Sequence, residues 1–271
     1  MTVKEALELA LRLSGLSRVP ADSGVLVPGE LEEKVLFAID VGVAELLLAK
    51  GLGAGGVIAH HPPGGQPRLH WHRVLWRHAE LLTAYGVPEG EARAAAGELV
   101  QEFAARDHTA NYDHVPGAAR ALGLPLVGIH TPLDELGRKR LVAAVGALSP
   151  GATLGELLER LSSLPELGNA ATEVELRLGS PDRRAGRVAV LHGAGTNGGY
   201  PVAACAFRHG IDTVLYIHCS QAAARRLAEE FPDKNLVVTG HIASDSLGIN
   251  PFLAELESRG LEVIPLDVVK P

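Results

Sequence analysis

Side chains able to bind metal ions are grouped in three short segments of this 271-residue chain. The first segment contains the adjacent residues His60 and His61, and the second ends in Asp134. In the third, His241 lies four residues before Asp245. Imidazole and carboxylate groups are ligands that zinc, manganese and iron all accept. The three segments therefore predict metal chemistry if the fold brings them together.

The histidine pair is followed at once by Pro62 and Pro63, which bears on where its side chains point. Neighbouring side chains of a strand point to opposite faces, but proline has no N–H with which to continue a ladder. The backbone can therefore turn after the strand and direct both His60 and His61 into one cleft. The simpler alternative is one buried and one exposed histidine at a strand end, and the segment on its own favours it.

Asp134 closes the segment His-Thr-Pro-Leu-Asp, which begins at His130 where another apolar run ends. Its carboxylate can swing back over the edge of a sheet, or it can be the N-cap of a helix that starts near Leu136. Without other evidence, the cap is the better interpretation. For His241 and Asp245, a helical segment would place both side chains on one face, although an isolated pair at this spacing is weak evidence.

Taken together, the five residues favour a metal site over the simpler structural roles. They are too many for one tetrahedral zinc with an open position, and they suit two metals that share a carboxylate. Two metals about 3.5–4 Å apart can generate hydroxide and stabilise both oxygens of a displacement. We therefore predict two divalent ions per chain, whether zinc, manganese or iron.

Six apolar runs predict buried strands because they are short, rich in β-branched residues and end at turn residues. Ionisable residues gather where the runs stop, and in an open α/β sheet this edge forms the ligand-binding crevice. The runs are residues 34–40, 56–60, 124–130, 187–192, 213–218 and 235–240, and the ionisable residues are Asp40, His60, His130, His192, His218 and His241.

Helical patterns lie between these strands, so the chain predicts an α/β fold with largely parallel sheets and helices on their faces. The patterns cover residues 43–50, 74–85, 89–106, 117–122, 139–148, 154–162, 201–209, 221–230 and 251–259, besides an amphipathic helix at the start. A polar, turn-rich stretch at 179–186 suggests two intimately packed lobes, 1–180 and 181–271. We expect the metal cleft between the lobes, at the carboxyl ends of the strands, with both halves contributing to it.

The amino-acid composition argues against several classes of function. The net charge of −7 disfavours binding to nucleic-acid phosphates, and the two cysteines, Cys205 and Cys219, form no disulfide scaffold. Neither a signal peptide nor a membrane-spanning run is present, so a cytoplasmic protein is expected. The glycine run 193–199 lacks the lysine of a P-loop and is typical of a strand-to-helix turn that can offer N–H groups to an anion.

In order, the segments HHPP, HTPLD and GHIASD resemble the HHP, HTxLD and GHxxSE motifs of the Nif-three-like dinuclear metal-centre family, also known as GTP cyclohydrolase I type 2 homologues. Residues 22–29 are similar to that family's N-terminal glycine-containing turn, and 34–40 to its first strand, so the resemblance covers nearly the whole chain. It implies that His60, His61, Asp134, His241 and Asp245 are metal ligands. It also implies a metal-dependent hydrolase and a ring-shaped homo-oligomer, typically a hexamer.

The chain departs from the family pattern at two places. Aspartate at 245 replaces a glutamate and is one methylene shorter, so bridging of both metals by Asp245 is in doubt and Asp40 is the next candidate. The spacing from His61 to His130 is long, which makes 88–106 part of an insertion, either a surface helix over the cleft or a solvated connector. The insertion also contains a looser copy of the second motif, 108–113, which ends in Asp113.

The resulting hypothesis is a dinuclear metal-dependent hydrolase of a phosphate ester, nucleotide or cyclic amidine, which acts through a metal-bound hydroxide. His130 is a candidate for proton transfer or for supporting a ligand, or it is simply hydrogen-bonded to backbone. His108 and His114 either bind a leaving group or lie on the surface, and we favour the surface. The alternative function is a non-catalytic metal-binding or protein-interaction module. The partner expected of an enzyme is a small-molecule substrate, without nucleic acid or membrane.

Overall fold

The computed structural model describes residues 1–271 and divides into two compact units. The first unit consists of Met1–Val74, Glu102–Leu136 and Gly248–Val268, and the second of Leu75–Gln101, Gly137–Leu247 and Val269–Pro271. The strands are β1 (Gly24–Val27), β2 (Lys34–Ala38), β3 (Val57–Ala59), β4 (Leu126–Gly128), β5 (Glu175–Leu178), β6 (Val188–Val190), β7 (Thr213–Tyr216), β8 (Asn235–Val238) and β9 (Glu262–Leu266). The helices are α1 (Val3–Ser14), α2 (Val43–Gly51), α3 (Gly65–Leu69), a 3-10 helix (Trp71–Trp76), α4 (Arg77–Ala84), α5 (Glu89–His108), α6 (His114–Leu122), α7 (Thr131–Gly146), α8 (Leu154–Ser162), α9 (Pro165–Gly168), α10 (Gly199–Arg208), α11 (Gln221–Glu230) and α12 (His241–Ser258).

The first unit contains a five-stranded sheet in the order β1-β4-β3-β2-β9. Only β1 runs antiparallel to its neighbour, so four of the strands are parallel. Along β2, Val35 and Phe37 belong to one apolar cluster, and Leu36 and Ala38 belong to another. Successive side chains point to opposite faces, so this strand is covered on both sides. That burial explains why its sequence is a continuous apolar run.

The second unit contains a four-stranded sheet in the order β5-β8-β7-β6, in which β5 alone is antiparallel. The helix α8 packs Leu154, Leu157 and Leu161 into the same apolar cluster as Val190 and Leu215. Its start is fixed by a capping box between Thr153 and Glu156, which satisfies backbone donors that the first turn leaves without helical partners.

The predicted class, an α/β protein with largely parallel sheets and helices around them, is confirmed, and each of the six predicted strands is present. Strands β1, β5 and β9 were not predicted. β1 and β5 are antiparallel edge strands with irregular register, and neither contains a fully buried residue. β9 contains Pro265, which a sequence pattern counts against a strand.

The compact units are assembled from separate stretches of chain, whereas the division at residue 180 assumed one stretch for each lobe. Strand β9 accounts for part of the difference, because it pairs in parallel with β2 from Lys34 to Ala38. The last strand of the chain therefore belongs to the sheet formed by the N-terminal half.

Two helices begin earlier than their sequence patterns predict. α7 begins at Thr131 and not near Leu136, and α12 begins at His241 and not at Pro251. Proline in a helix removes the N–H that the carbonyl four residues earlier would accept from. Here that carbonyl is at Leu247, and it accepts a hydrogen bond from Nη1 of Arg140 at 3.0 Å. A side chain thus replaces the missing donor, and the helix continues through the proline.

The segment 88–106 forms most of α5, a helix of 20 residues. Within the second unit it buries Ala92, Ala96 and Leu99, and a Cβ added at Gly97 would lie 3.6 Å from the ring of Trp76. The helix is therefore packed along one side, which argues against the solvated connector. That the segment is an insertion stays a prediction. None of the helices combines the length and apolar character that crossing a bilayer requires.

Candidate metal centre

Three imidazoles meet at one end of the first unit's sheet. β3 and β4 are parallel neighbours with Ala59 opposite Gly128, so His60 and His130 follow at the same edge. The ring centroids of His60 and His61 lie 5.0 Å apart, and that of His130 lies 4.9 Å from the first and 5.3 Å from the second. One ligand nitrogen from each histidine falls within 4.8 Å of the others, so together they could hold a metal ion.

The prediction that both members of the histidine pair face the same way agrees with this geometry. The N–H groups of His60 and His61 donate to the carbonyls of Ala38 and Ile39, each at 2.9 Å, and so extend the ladder to β2. Pro62 then ends the ladder because it has no N–H.

Each of the three histidine rings is held in place through its own Nδ1 atom. Nδ1 of His60 lies 3.1 Å from the carbonyl oxygen of Ile129, and Nδ1 of His61 lies 2.8 Å from Oδ1 of Asp40. Nδ1 of His130 lies 2.8 Å from Oδ2 of Asp22. Carbonyl and carboxylate oxygens only accept, so each Nδ1 carries the proton. In the neutral ring Nε2 then keeps its electron pair, and this is the tautomer that binds a metal through Nε2.

Asp134 supplies a carboxylate to this cluster. It lies in the first turn of α7, not at an N-cap, and is 4% exposed. Its Oδ1 lies 3.3 Å from Nε2 of His60, and its Oδ2 lies 3.6 Å from Nε2 of His130. A carboxylate facing imidazole electron pairs is an arrangement that a cation stabilises. Burial lowers the pKa of His130, but the charges of Asp134 and Asp22 outweigh it and raise the pKa above its usual value.

Sequence reasoning missed Asp22, a fully buried residue just before β1. Besides Nδ1 of His130, its Oδ2 accepts from the hydroxyl of Thr131 at 2.7 Å. The hydroxyl of the adjacent Ser23 accepts from the backbone N–H of His130 at 3.0 Å. Asp22 therefore orients His130, a role often taken by carboxylates beside metal-binding histidines. The two residues are 108 positions apart, so no local pattern could reveal their contact.

The looser copy of the second motif, 108–113, is not part of this cluster. Asp113 is exposed and forms an ion pair with Arg120, in which both carboxylate oxygens accept from Nη2 at 2.7 and 2.8 Å. His108 and His114 are exposed as well, as the preferred interpretation predicted. Of the two aspartates, only Asp134 lies beside the histidines.

A tryptophan and two arginines lie next to the imidazoles in the first unit. The ring of Trp71 meets the ring of His130 edge-on, with 5.3 Å between centroids. The guanidinium groups of Arg68 and Arg106 lie 5.6 and 6.0 Å from the centroid of the same indole. The buried carboxylate of Asp107 accepts from Nη1 of Arg68 at 2.6 Å, which fixes that arginine in place.

In the second unit, His241 and Asp245 lie one helical turn apart at the start of α12, as their spacing predicted for a helical segment. Nε2 of His241 lies 3.3 Å from Oδ2 of Asp245, and the histidine is about half exposed whereas the aspartate is buried. The turn before the helix is fixed at Gly240, whose φ of 88° favours glycine. The hydroxyl of Ser244 donates to the carbonyl of Gly240 at 2.5 Å and lies 2.6 Å from the hydroxyl of Thr239.

His218 follows β7 and lies beside His241, with 4.9 Å between ring centroids. Its Nδ1 lies 2.9 Å from Nδ2 of Asn197, which belongs to the glycine run 193–199 between β6 and α10. That run is a strand-to-helix turn, as predicted. His192, which directly precedes the run, is buried.

Side chains of α4 and β7 hold the glycine run in place. Nε of Arg77 donates to the carbonyl of Gly193 at 2.7 Å, and Nε2 of His78 donates to that of Thr196 at 3.0 Å. The hydroxyl of Tyr216 donates to the carbonyl of Gly199 at 2.9 Å. Burial lowers the pKa of His78 to about 4, so it is neutral at physiological pH.

The donor set of the first unit fits a divalent transition metal, because imidazole nitrogen with carboxylate oxygen is a ligand combination that zinc, manganese and iron accept. His60, His61, His130 and Asp134 provide it, and buried or hydrogen-bonded neighbours orient each ring.

Solved structures similar to this chain include a NIF3 superfamily protein from Sphaerobacter thermophilus, with 45% sequence identity, a TM-score of 0.94 and 98% of each chain covered. Reduced HcgD from Methanocaldococcus jannaschii has 17% identity and a TM-score of 0.63, with 98% of each chain covered. A Bacillus cereus protein related to NIF3 has 13% identity and a TM-score of 0.51, over 98% of this chain and 96% of the other. The last two show similarity of fold alone. No family model matches the chain, and no curated protein does.

Proposed function

The chain belongs to the NIF3 superfamily, and on that premise we propose that it binds two divalent metal ions and acts as a metal-dependent hydrolase. The observation that supports this most is the shared tautomer of His60, His61 and His130. Each ring donates from Nδ1 to a fixed oxygen and keeps an electron pair on Nε2, and Asp134 lies beside two of the three.

The proposed ligands remain His60, His61, Asp134, His241 and Asp245. His130 joins them as a candidate, because one of its ring nitrogens lies within 4.8 Å of a ring nitrogen of His60 and of His61. Asp245 is proposed as a ligand to at least one ion, since His241 fixes its turn of helix and the charge of the family's glutamate is retained.

A bound pair of divalent ions would acidify water and neutralise charge on substrate oxygens. Residues of the chain would orient the imidazole ligands and attract the substrate. Asp22 and Asp40 hold the rings of His130 and His61 in one tautomer. Arg68, fixed by Asp107 beside Trp71, offers a positive charge to an anionic substrate. These groups support a phosphate ester or nucleotide as the substrate class, with a cyclic amidine as the alternative.

We expect protein reconstituted with zinc or manganese to carry about two ions per chain, and His60→Ala to lower this number sharply. The reason is that Nε2 of His60 faces the carboxylate of Asp134. Metal content is measured by mass spectrometry after gel filtration. His108→Ala, which removes an exposed histidine of α5, is the matched control and should keep the full number. Absence of bound metal after reconstitution would refute the proposal.

Hydrolysis itself is tested by screening the reconstituted protein against phosphodiesters, nucleotides and GTP. A turnover that disappears in His60→Ala and survives in His108→Ala would support the enzyme. Stoichiometric metal without turnover of any of these compounds would favour the non-catalytic metal-binding module.

We also propose a symmetric homo-oligomer larger than a dimer, a hexamer by the family resemblance. Light scattering should then give a mass several times the 28.5 kDa of the chain. A monomer at micromolar concentration would contradict the proposal.

A further inference from the structure

Asn197 and His218 form a hydrogen bond whose direction can be assigned from the covalent chemistry. The backbone N–H of Gly199 lies 2.9 Å from Oδ1 of Asn197, and a backbone N–H can only donate. The oxygen of the amide therefore faces Gly199, and the NH2 group faces Nδ1 of His218 at 2.9 Å. The amide nitrogen has no electron pair to offer, so Nδ1 of His218 must be the acceptor.

This assignment fixes the tautomer of His218. A neutral imidazole carries one proton, and Nδ1 accepts, so the proton is on Nε2. The ring therefore presents an N–H at Nε2, the opposite of the three histidines in the first unit. A ring in this tautomer is a hydrogen-bond donor at Nε2, where a metal ligand needs an electron pair.

The backbone that follows Asn197 is closely packed. Gly198, next to it, is packed so closely that an added Cβ would lie 2.4 Å from Cβ of Val202 and 2.7 Å from the hydroxyl of Tyr216. The φ of Gly199 is 55°, and its carbonyl accepts from Tyr216 at 2.9 Å. The turn that carries Asn197 is thus fixed at the two residues that follow it.

We propose that Asn197 is a positioning residue which keeps His218 as an Nε2–H donor to an oxygen of the substrate. The placement of His218 beside His241, with ring centroids 4.9 Å apart, supports this role, because an oxyanion bound at a metal on His241 would lie within reach. The ligand chemistry is a phosphoryl or carboxylate oxygen. This inference rests on the proposed function, since it requires a metal ion bound to His241.

The tautomer is tested by solid-state 15N NMR of zinc-reconstituted protein labelled only in histidine, at pH 8, with His218 assigned from the spectrum of His218→Gln. Nε2 should show the protonated signature and Nδ1 the unprotonated one. In Asn197→Asp the carboxylate can only accept, so the two signatures should exchange. Asn169→Asp changes an exposed asparagine with the same change in charge and should leave them unaltered.

A proton on Nδ1 of His218 in the wild type would overturn the assignment, as would an unchanged pattern in folded Asn197→Asp. If that variant does not fold, the wild-type spectrum alone still decides the tautomer.

Substrate contact is tested with inorganic phosphate as the probe. In zinc-loaded protein, His218→Ala should weaken phosphate binding about tenfold, the effect of one hydrogen bond to a charged group, and should leave the zinc content unchanged. Loss of zinc in this variant would make His218 a ligand and refute the donor role, as would unchanged affinity for phosphate. A wild type without zinc would refute the proposed function instead, while the tautomer would still be measurable.

Discussion

Asp134→Asn is expected to weaken binding of divalent metal ions by at least about 10- to 100-fold, the loss usual even for residues that only support a ligand. The carboxylate lies 3.3 Å from Nε2 of His60 and 3.6 Å from Nε2 of His130. Asparagine keeps the size of the side chain but removes its charge, so the imidazoles lose the anion that neutralises a cation between them. Competition with a chelating indicator measures the affinity.

Asp113→Asn is the matched control, because it makes the same chemical change at the copy of the motif that ends on the surface. Its carboxylate is bound to Arg120, and metal affinity should stay at the wild-type value. Equal weakening in both variants would show that the change of charge, and not the position, matters. Weakening in Asp113→Asn alone would mean that the other motif provides the ligand.

Arg140→Met is expected to lower the free energy of unfolding by about 1–3 kcal/mol, the cost of leaving a buried polar group without its hydrogen-bond partner, because Arg140 is itself 33% exposed and water screens part of the ion pair. Nη1 and Nη2 of Arg140 donate to the two carboxylate oxygens of Glu166 at 2.6 and 3.0 Å. Glu166 is 1% exposed, so its charge would be left buried. The carbonyl oxygen of Leu247, to which Pro251 has no N–H to donate, would also lose its hydrogen-bond donor. Urea unfolding followed by circular dichroism measures the loss.

The double variant Arg140→Met, Glu166→Leu separates these two costs. Removing both charges should restore most of the stability, because the buried carboxylate is gone, and the part not restored reports the carbonyl of Leu247. A single variant as stable as the wild type would show that Arg140 is not the partner that compensates Glu166.

Buried parallel strands could be predicted from the sequence because burial on both faces produces an unbroken apolar run, as in β2. Edge strands could not be predicted in this way. β1 and β5 are four residues long and partly exposed, and each is defined by pairing with a strand far away in the chain. The start of α12 was missed for a related reason, since Pro251 is typical of a first turn and Arg140, which makes it tolerable, is distant in sequence.

The same distinction applies to the candidate site. His60, His61 and Asp134 could be selected because they follow predicted strands at motif spacing. Sequence reasoning gave His130 a role in proton transfer or in support of a ligand, or a structural role alone, and the structure puts it within the group of imidazoles. Asp22 and Asn197 fix the tautomers of His130 and His218, but hydrogen bonds between distant segments leave no periodic signal in the chain.

The edge-on contact between Trp71 and His130 gives the protein an optical reporter. An ion with a partly filled d shell, such as manganese or iron, quenches the fluorescence of an indole a few ångströms away, whereas zinc has a filled shell. Trp71 lies 5.3 Å from the ring of His130, so its emission should fall as such an ion binds. The remaining tryptophan, Trp76, lies 4.8 Å from the guanidinium of Arg93 in the second unit. Binding of manganese or iron, in contrast to zinc, should therefore be readable from the emission spectrum, with Trp71→Phe as the blank.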